Sequence, residues 1–211
     1  MTKVLRSLKL SWSEIGAVSL LSWLTFNAPA LAHHAMASQT PTNMFEGFLS
    51  GLAHPVIGID HLAFVIAVGL LAAQQGAGVF FPVAFLLMAL LGTGIHLQGV
   101  NLPAAEVGVA LSVILFGALL LLNRRLSIPL LMGLGAIAGL FHGYAYGESI
   151  VGAGMAPLTA YLLGFTAIQL AIALGARQVG LALAERKAVL RFPAMAICAI
   201  GVVFLTGAIV G

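Results

Sequence analysis

Charged side chains are almost missing from this chain. Asp, Glu, Lys and Arg make up 7% of its 211 residues, whereas a soluble domain carries roughly 25%. An ordinary water-soluble domain is therefore excluded. Cysteine is equally scarce: Cys198 stands alone, which rules out an internal disulfide and any Cys-based zinc or iron–sulfur site. It lies in the last apolar segment and reads as a small packing residue. No G-x-x-x-x-G-K-[ST] loop occurs, so the chain is not itself a P-loop ATPase. The net charge is +3, but the basic residues sit in short clusters between apolar runs, which points away from a nucleic-acid partner. Met88, Met132, Met155 and Met195 are spread over several segments, which argues for packing and against a copper thioether track.

What is present is apolar length, with 61% of residues hydrophobic. The N-terminus has the parts of an export signal. Lys3, Arg6 and Lys9 form a basic head, residues 15–26 a short apolar core, and Ala30-Leu31-Ala32 an A-x-A-like cleavage site. The expected organisation is a signal peptide at 1–32, a short periplasmic N-terminus at 33–47, and a six-helix transmembrane domain at 48–211. Apolar segments are expected at 48–73, 79–97, 104–122, 128–146, 157–175 and 192–210. Each is long enough to cross about 30 Å of hydrocarbon as a helix. Gln74-Gln75-Gly76, Asn101-Leu102-Pro103, Asn123-Arg124-Arg125 and Gly152-Ala153-Gly154 read as turns between them.

Orientation follows from the basic residues beyond the leader: Arg124, Arg125, Arg177, Arg186, Lys187 and Arg191. All lie after the third and fifth segments, so the positive-inside rule makes those loops cytoplasmic and the mature N-terminus periplasmic. An exported N-terminus requires the same topology. The expected location is a bacterial inner membrane, with the lipid bilayer as the surrounding partner. Residues 177–191 are expected as a short cytoplasmic helix against the anionic inner leaflet. Glu46 and Glu106, near outer boundaries, read as solvated charges.

Within the first segment stands His54-Pro55-Val56-Ile57-Gly58-Ile59-Asp60-His61. Ionisable groups inside a membrane span cost a few kcal/mol each on insertion scales and default to a functional reading. Two nitrogen donors and one oxygen donor suit a borderline divalent metal, Ni²⁺, Co²⁺ or Zn²⁺, better than hard Mg²⁺ or soft Cu⁺. On an unbroken helix His54 and His61 share a face but lie about 10.5 Å apart in rise, too far to ligate one ion. Either Pro55 and Gly58 break the helix and fold His54 back, or the two histidines form successive stations along a path. The expected topology places His96 near the outer end of the second segment, His142 well inside the fourth, and Glu148 at its outer end.

A second pattern links two of these segments. Gly51-Leu52-Ala53-His54 is followed by Asp60, and Gly139-Leu140-Phe141-His142 by Glu148, with the acid six residues after the histidine in both. The four matched positions are compatible with a three-plus-three inverted repeat. Gly135, Gly139, Gly143 and Gly147 form a stripe of small residues that admits a neighbouring helix, and His142 lies beside it, toward the bundle interior.

The stretch from His54 to His61 resembles the HPxxGxDH signature of the HupE/UreJ family of membrane proteins. Phe141-His142-Gly143-Tyr144-Ala145-Tyr146-Gly147-Glu148 resembles the second signature of that family. The resemblance implies a nickel or cobalt permease that helps supply hydrogenase, urease or cobalamin synthesis. The ion is then a transported substrate, and no prosthetic group is expected. Irving–Williams neighbours share these ligands, so the expectation covers both metals. Asp60 and His61 are expected as inner ligands and His142 as the donor from the opposite half. His54 is expected as a ligand or access station, and His96 and Glu148 as capture or orienting groups nearer the rim. Two other classes share these residues: an intramembrane metalloenzyme with Glu148 or Asp60 as base, and a non-transporting accessory protein that delivers metal.

Overall fold

A computed structural model describes residues 40–210, and regular structure among them is helical throughout. The expected leader at 1–32, and residues 33–39 of the expected periplasmic segment, lie outside the described residues. The helices are α1 (Met44–Ile57), α2 (Ile59–Gln75), α3 (Phe80–Leu97), α4 (Ala105–Leu122), α5 (Ile128–Gly147), α6 (Met155–Ala182) and α7 (Lys187–Val210). A 3-10 turn, Glu148–Ile150, follows α5. Helices α3 to α7 are each long and apolar enough to cross a membrane. Helices α1 and α2 meet that test only as a pair, bent by 80° at a one-residue break, which makes six spans if the pair counts as one.

The break has a local cause. Pro55 lacks the N–H that would bond Gly51 and interrupts the ladder of α1 near its end. Gly58 then takes an extended conformation, φ −70° and ψ 98°. Its N–H donates to the His54 carbonyl at 3.0 Å, and its own carbonyl accepts from the Leu62 N–H at 2.8 Å. One residue therefore closes α1 and starts α2. Asp60, in the first turn of α2, places a negative side chain at the positive end of that helix dipole.

Other boundaries are set by recognisable caps. At the start of α1 the Asn43 side chain accepts from the Glu46 N–H at 3.0 Å, while Glu46 accepts from the Thr42 N–H at 2.8 Å. Glu46, read from sequence as a solvated charge, thus closes a capping arrangement. Helix α2 ends on Gly76 in the left-handed region, φ 69°. Gln74 and Gln75, expected in a turn, form the last residues of α2 and clip the loop between α4 and α5. Gln75 donates to the Arg124 carbonyl at 2.6 Å and accepts from the Leu126 N–H at 3.0 Å. The short separate helix expected at 177–191 is not there. Helix α6 runs on to Ala182 and α7 begins at Lys187, because Ala176, Arg177, Gln178, Leu181 and Ala182 are good helix formers that extend the span.

Three pairings dominate the packing: α1 with α6, α3 with α5, and α4 with α7, with α2 also laid along α6. Glycine permits the close approaches. Gly51 faces the Tyr161 carbonyl, Gly92 the Leu140 carbonyl and Gly143 the Ala89 main chain. The stripe on α5 is the surface α3 packs against, with Gly135 on Phe81, Gly139 on Phe85 and Gly147 on His96. Thr93 adds a hydrogen bond across the same seam, to the Gly143 carbonyl at 2.8 Å. Cys198 packs on Gly117, in keeping with its expected role.

A methyl group at position 143 would meet the α3 backbone. Gly143→Ala is expected to lower stability by about 1–3 kcal/mol, as overpacking does. Gly94→Ala, with nothing near its added methyl, should be neutral or mildly stabilising. Thermal unfolding of the two variants in one detergent measures the contrast.

Candidate functional site

The 80° bend brings together side chains that a straight helix would separate. The ring centroids of His54 and His61 are 6.0 Å apart, against the rise of about 10.5 Å expected for an unbroken helix. The helix is broken at the place that Pro55 and Gly58 marked. The His61 ring lies against Gly58: a Cβ there would be 2.8 Å from His61 Cδ2 and 3.4 Å from Asp60 Oδ1. Glycine at the break therefore serves space as well as backbone geometry. His54, Asp60 and His61 are all buried.

His142 reaches the same place from α5. It is fully buried, 0% exposed, and its Nδ1 lies 3.0 Å from His61 Nδ1. Its Nε2 lies 2.9 Å from the Ser112 hydroxyl of α4, and Ser112 donates to the Val109 carbonyl at 2.6 Å. Four helices, α1, α2, α4 and α5, thus contribute to one buried polar cluster.

Aromatic rings enclose it. Tyr146 packs on His61 with centroids 4.2 Å apart and meets His54 edge-on at 5.1 Å. The Tyr146 hydroxyl donates to Gln169 at 3.3 Å, and the Tyr161 hydroxyl to the Tyr146 carbonyl at 3.2 Å. On the side toward the C-terminal end of α2, Phe64 stacks on His142 at 4.0 Å. Phe85 and Phe116 pack on Phe64, and Phe81 on Phe116. These phenyl rings form an apolar floor below the histidines.

The remaining expected residues sit apart. His96 packs against Tyr144, with centroids at 4.4 Å, and beside Gly147. Its Nδ1 is buried without a hydrogen-bond partner. Glu148 is exposed at the start of the 3-10 turn. Both stand nearer the end of α5 than His142 does. Among the described residues, no three His, Cys, Asp or Glu side chains are arranged closely enough to hold a metal ion. His61 and His142 are instead engaged with each other, and His142 with Ser112. Sequence reading missed Ser112, Gln169 and the enclosing role of Tyr146. A polar residue every few turns of an apolar span was the available signal, and it does not name partners.

The pattern of the family described as HupE / UreJ protein matches residues 21–204. The chain belongs to the HupE/UreJ family. Among relatives, Protein HupE of Rhizobium leguminosarum bv. viciae is 31% identical over 148 residues, which is 69% of this chain and 76% of that protein. No solved structure matches. This HupE/UreJ chain is a multi-pass membrane protein, and the buried histidine cluster lies inside its helix bundle.

The position of the His61 ring should be sensitive to Gly58. Gly58→Ala is expected to displace the His61 ring and disturb its contact with His142, while leaving the melting temperature within a few degrees. The ¹⁵N chemical shifts of the His61 ring in labelled protein measure it. Unchanged shifts would show that Gly58 does not set the position of the ring.

Proposed function

We propose that this HupE/UreJ protein is a permease carrying Ni²⁺ or Co²⁺ from the periplasm to the cytoplasm across a bacterial inner membrane. The observation that carries this reading is the meeting of His61 and His142, from opposite halves of the chain, at a helix break inside the bundle. Broken spans recur at transporter binding sites because half-helix ends supply polar backbone without exposing it to lipid. With metal–nitrogen bonds of roughly 2.1 Å, two ligands on neighbouring octahedral corners stand about 3.0 Å apart, the separation of the two imidazoles here. An arriving dication would replace the hydrogen bond between those rings, with the proton between them moving to the other nitrogen of His61 or leaving to water.

In this reading His96 and Glu148 capture the ion near the periplasmic rim. His54 passes it inward, and His61, Asp60 and His142 take it as water is shed. The carboxylate of Asp60 offsets part of the dication's charge. The phenyl floor keeps the pathway closed on its inner side in this conformation. The membrane potential supplies a sufficient driving force, because moving a dication inward across 100 mV is worth about 4.6 kcal/mol. Downstream, the family resemblance points to supply of hydrogenase, urease or cobalamin synthesis.

The architecture proposed with this function has six spans, a leader cleaved after Ala32, and a periplasmic mature N-terminus. Its two three-helix halves form an inverted repeat. Exchanging the first and fourth spans, the second and fifth, and the third and sixth turns the α1–α6 pairing into the α5–α3 pairing. It returns α4–α7 to itself, as a twofold relation between halves requires.

Proteoliposomes with an imposed inside-negative potential are expected to take up ⁶³Ni²⁺ or ⁵⁷Co²⁺ saturably, and His61→Ala should abolish uptake. No flux from folded wild-type protein would overturn the permease reading. Uptake should also decline as the outside solution is acidified at constant potential, because protons and metal compete for the imidazole nitrogens. A rate that is flat across that range would argue against histidine ligation.

A further inference from the structure

The hydrogen bonds around His142 can be ordered, and their order fixes its tautomer. The Ser112 hydroxyl lies 2.6 Å from the Val109 carbonyl. A carbonyl only accepts, so the single Ser112 proton is committed there. Ser112 Oγ can then only accept from His142 Nε2, 2.9 Å away, which places a proton on that nitrogen. Neither hydrogen-bond partner of the ring is a carboxylate, so no counter-charge holds a second proton on it. A neutral imidazole with its proton on Nε2 has its lone pair on Nδ1, and that atom faces His61 at 3.0 Å. His61 is therefore the donor in the bond between the two rings.

We propose that Ser112 is a positioning residue of the metal pathway, holding His142 in the one tautomer whose Nδ1 is available as a ligand toward His61. This rests on the permease reading for its consequence in transport, though the tautomer itself does not. The arrangement follows the general logic of metal-binding histidines, in which the ring nitrogen remote from the ion donates to an acceptor that fixes the ring's orientation. Here the acceptor is supplied by α4, 30 residues before His142. The Val109 carbonyl is what turns an ambivalent hydroxyl into an obligate acceptor. Ser112 is itself buried, which shields this hydrogen bond from exchange with bulk water.

Replacement by threonine and by valine isolates the hydroxyl, since the two side chains have nearly the same shape. In ¹⁵N-histidine-labelled protein without metal, solid-state NMR should show His142, assigned by its loss in His142→Ala, with a protonated Nε2 and an unprotonated Nδ1. Ser112→Thr should keep that signature. Ser112→Val should lose it, with Co²⁺ affinity falling about 10–100-fold and uptake showing a raised KM. Ser112→Ala, which adds no bulk, should behave as valine does. The proposal is overturned if valine and alanine variants of normal thermal stability keep both the tautomer and the affinity of wild type. Because the NMR readout needs no metal, a wild-type protein with the expected tautomer but no metal flux would count against the permease reading and leave Ser112's role standing.

Discussion

The arrangement of the whole site depends on a hydrogen-bond ladder that Pro55 and Gly58 interrupt. Without the Pro55 N–H and with Gly58 extended, α1 and α2 meet at 80°. His54 then lies at the end of one helix, and Asp60 and His61 at the start of the next. A continuous helix would satisfy more backbone groups, and in an apolar bundle each unsatisfied group is costly. Gly58 limits that cost by serving both helices, donating to His54 and accepting from Leu62. The bend survives because α6 packs along both halves of the broken span.

Polar groups inside the bundle are satisfied largely by a few specific partners drawn from different helices. Ser112 and His142 join α4 to α5, Thr93 joins α3 to α5, and Tyr146 and Gln169 join α5 to α6. Helix α5 is the common member, and its glycine stripe lets α3 reach it closely enough for the Thr93 bond. Packing and polar contact are therefore coupled: the small residues that admit neighbouring backbones also bring the donors within range. The same helix carries His142 into the cluster and holds Tyr146 against both His54 and His61.

Much of this was legible in the sequence where the signal was local or periodic. The apolar runs located the helices, and the four-residue spacing of Gly135 to Gly147 marked the surface that α3 occupies. The pair Pro55 and Gly58 marked the only plausible break in the first span, yet the sequence left a two-station arrangement equally open. Whether the helix breaks there is a tertiary matter, since α6 packs along both of its halves. Ser112 stood out only as a polar residue in an apolar run, because a single hydroxyl there satisfies itself on its own backbone and shows no partner until α5 is placed beside it. Glu46 carries the exposed charge expected of it, but its capping bond to Thr42 and the clip from Gln75 to the Arg124 carbonyl show only when the segments they hold are in view. His96 and Glu148, expected nearer the rim than His61 and His142, sit beside Tyr144 and in the turn after α5.

The central claim is that imidazoles from the two halves of the chain converge on one ion. X-ray absorption at the cobalt edge, on protein loaded with one equivalent of Co²⁺, tests it directly. At least two imidazole ligands are expected, with one lost in His142→Ala and one in His61→Ala. A spectrum of oxygen ligands alone, or one unchanged by either substitution, would contradict convergence of the two histidines on the metal.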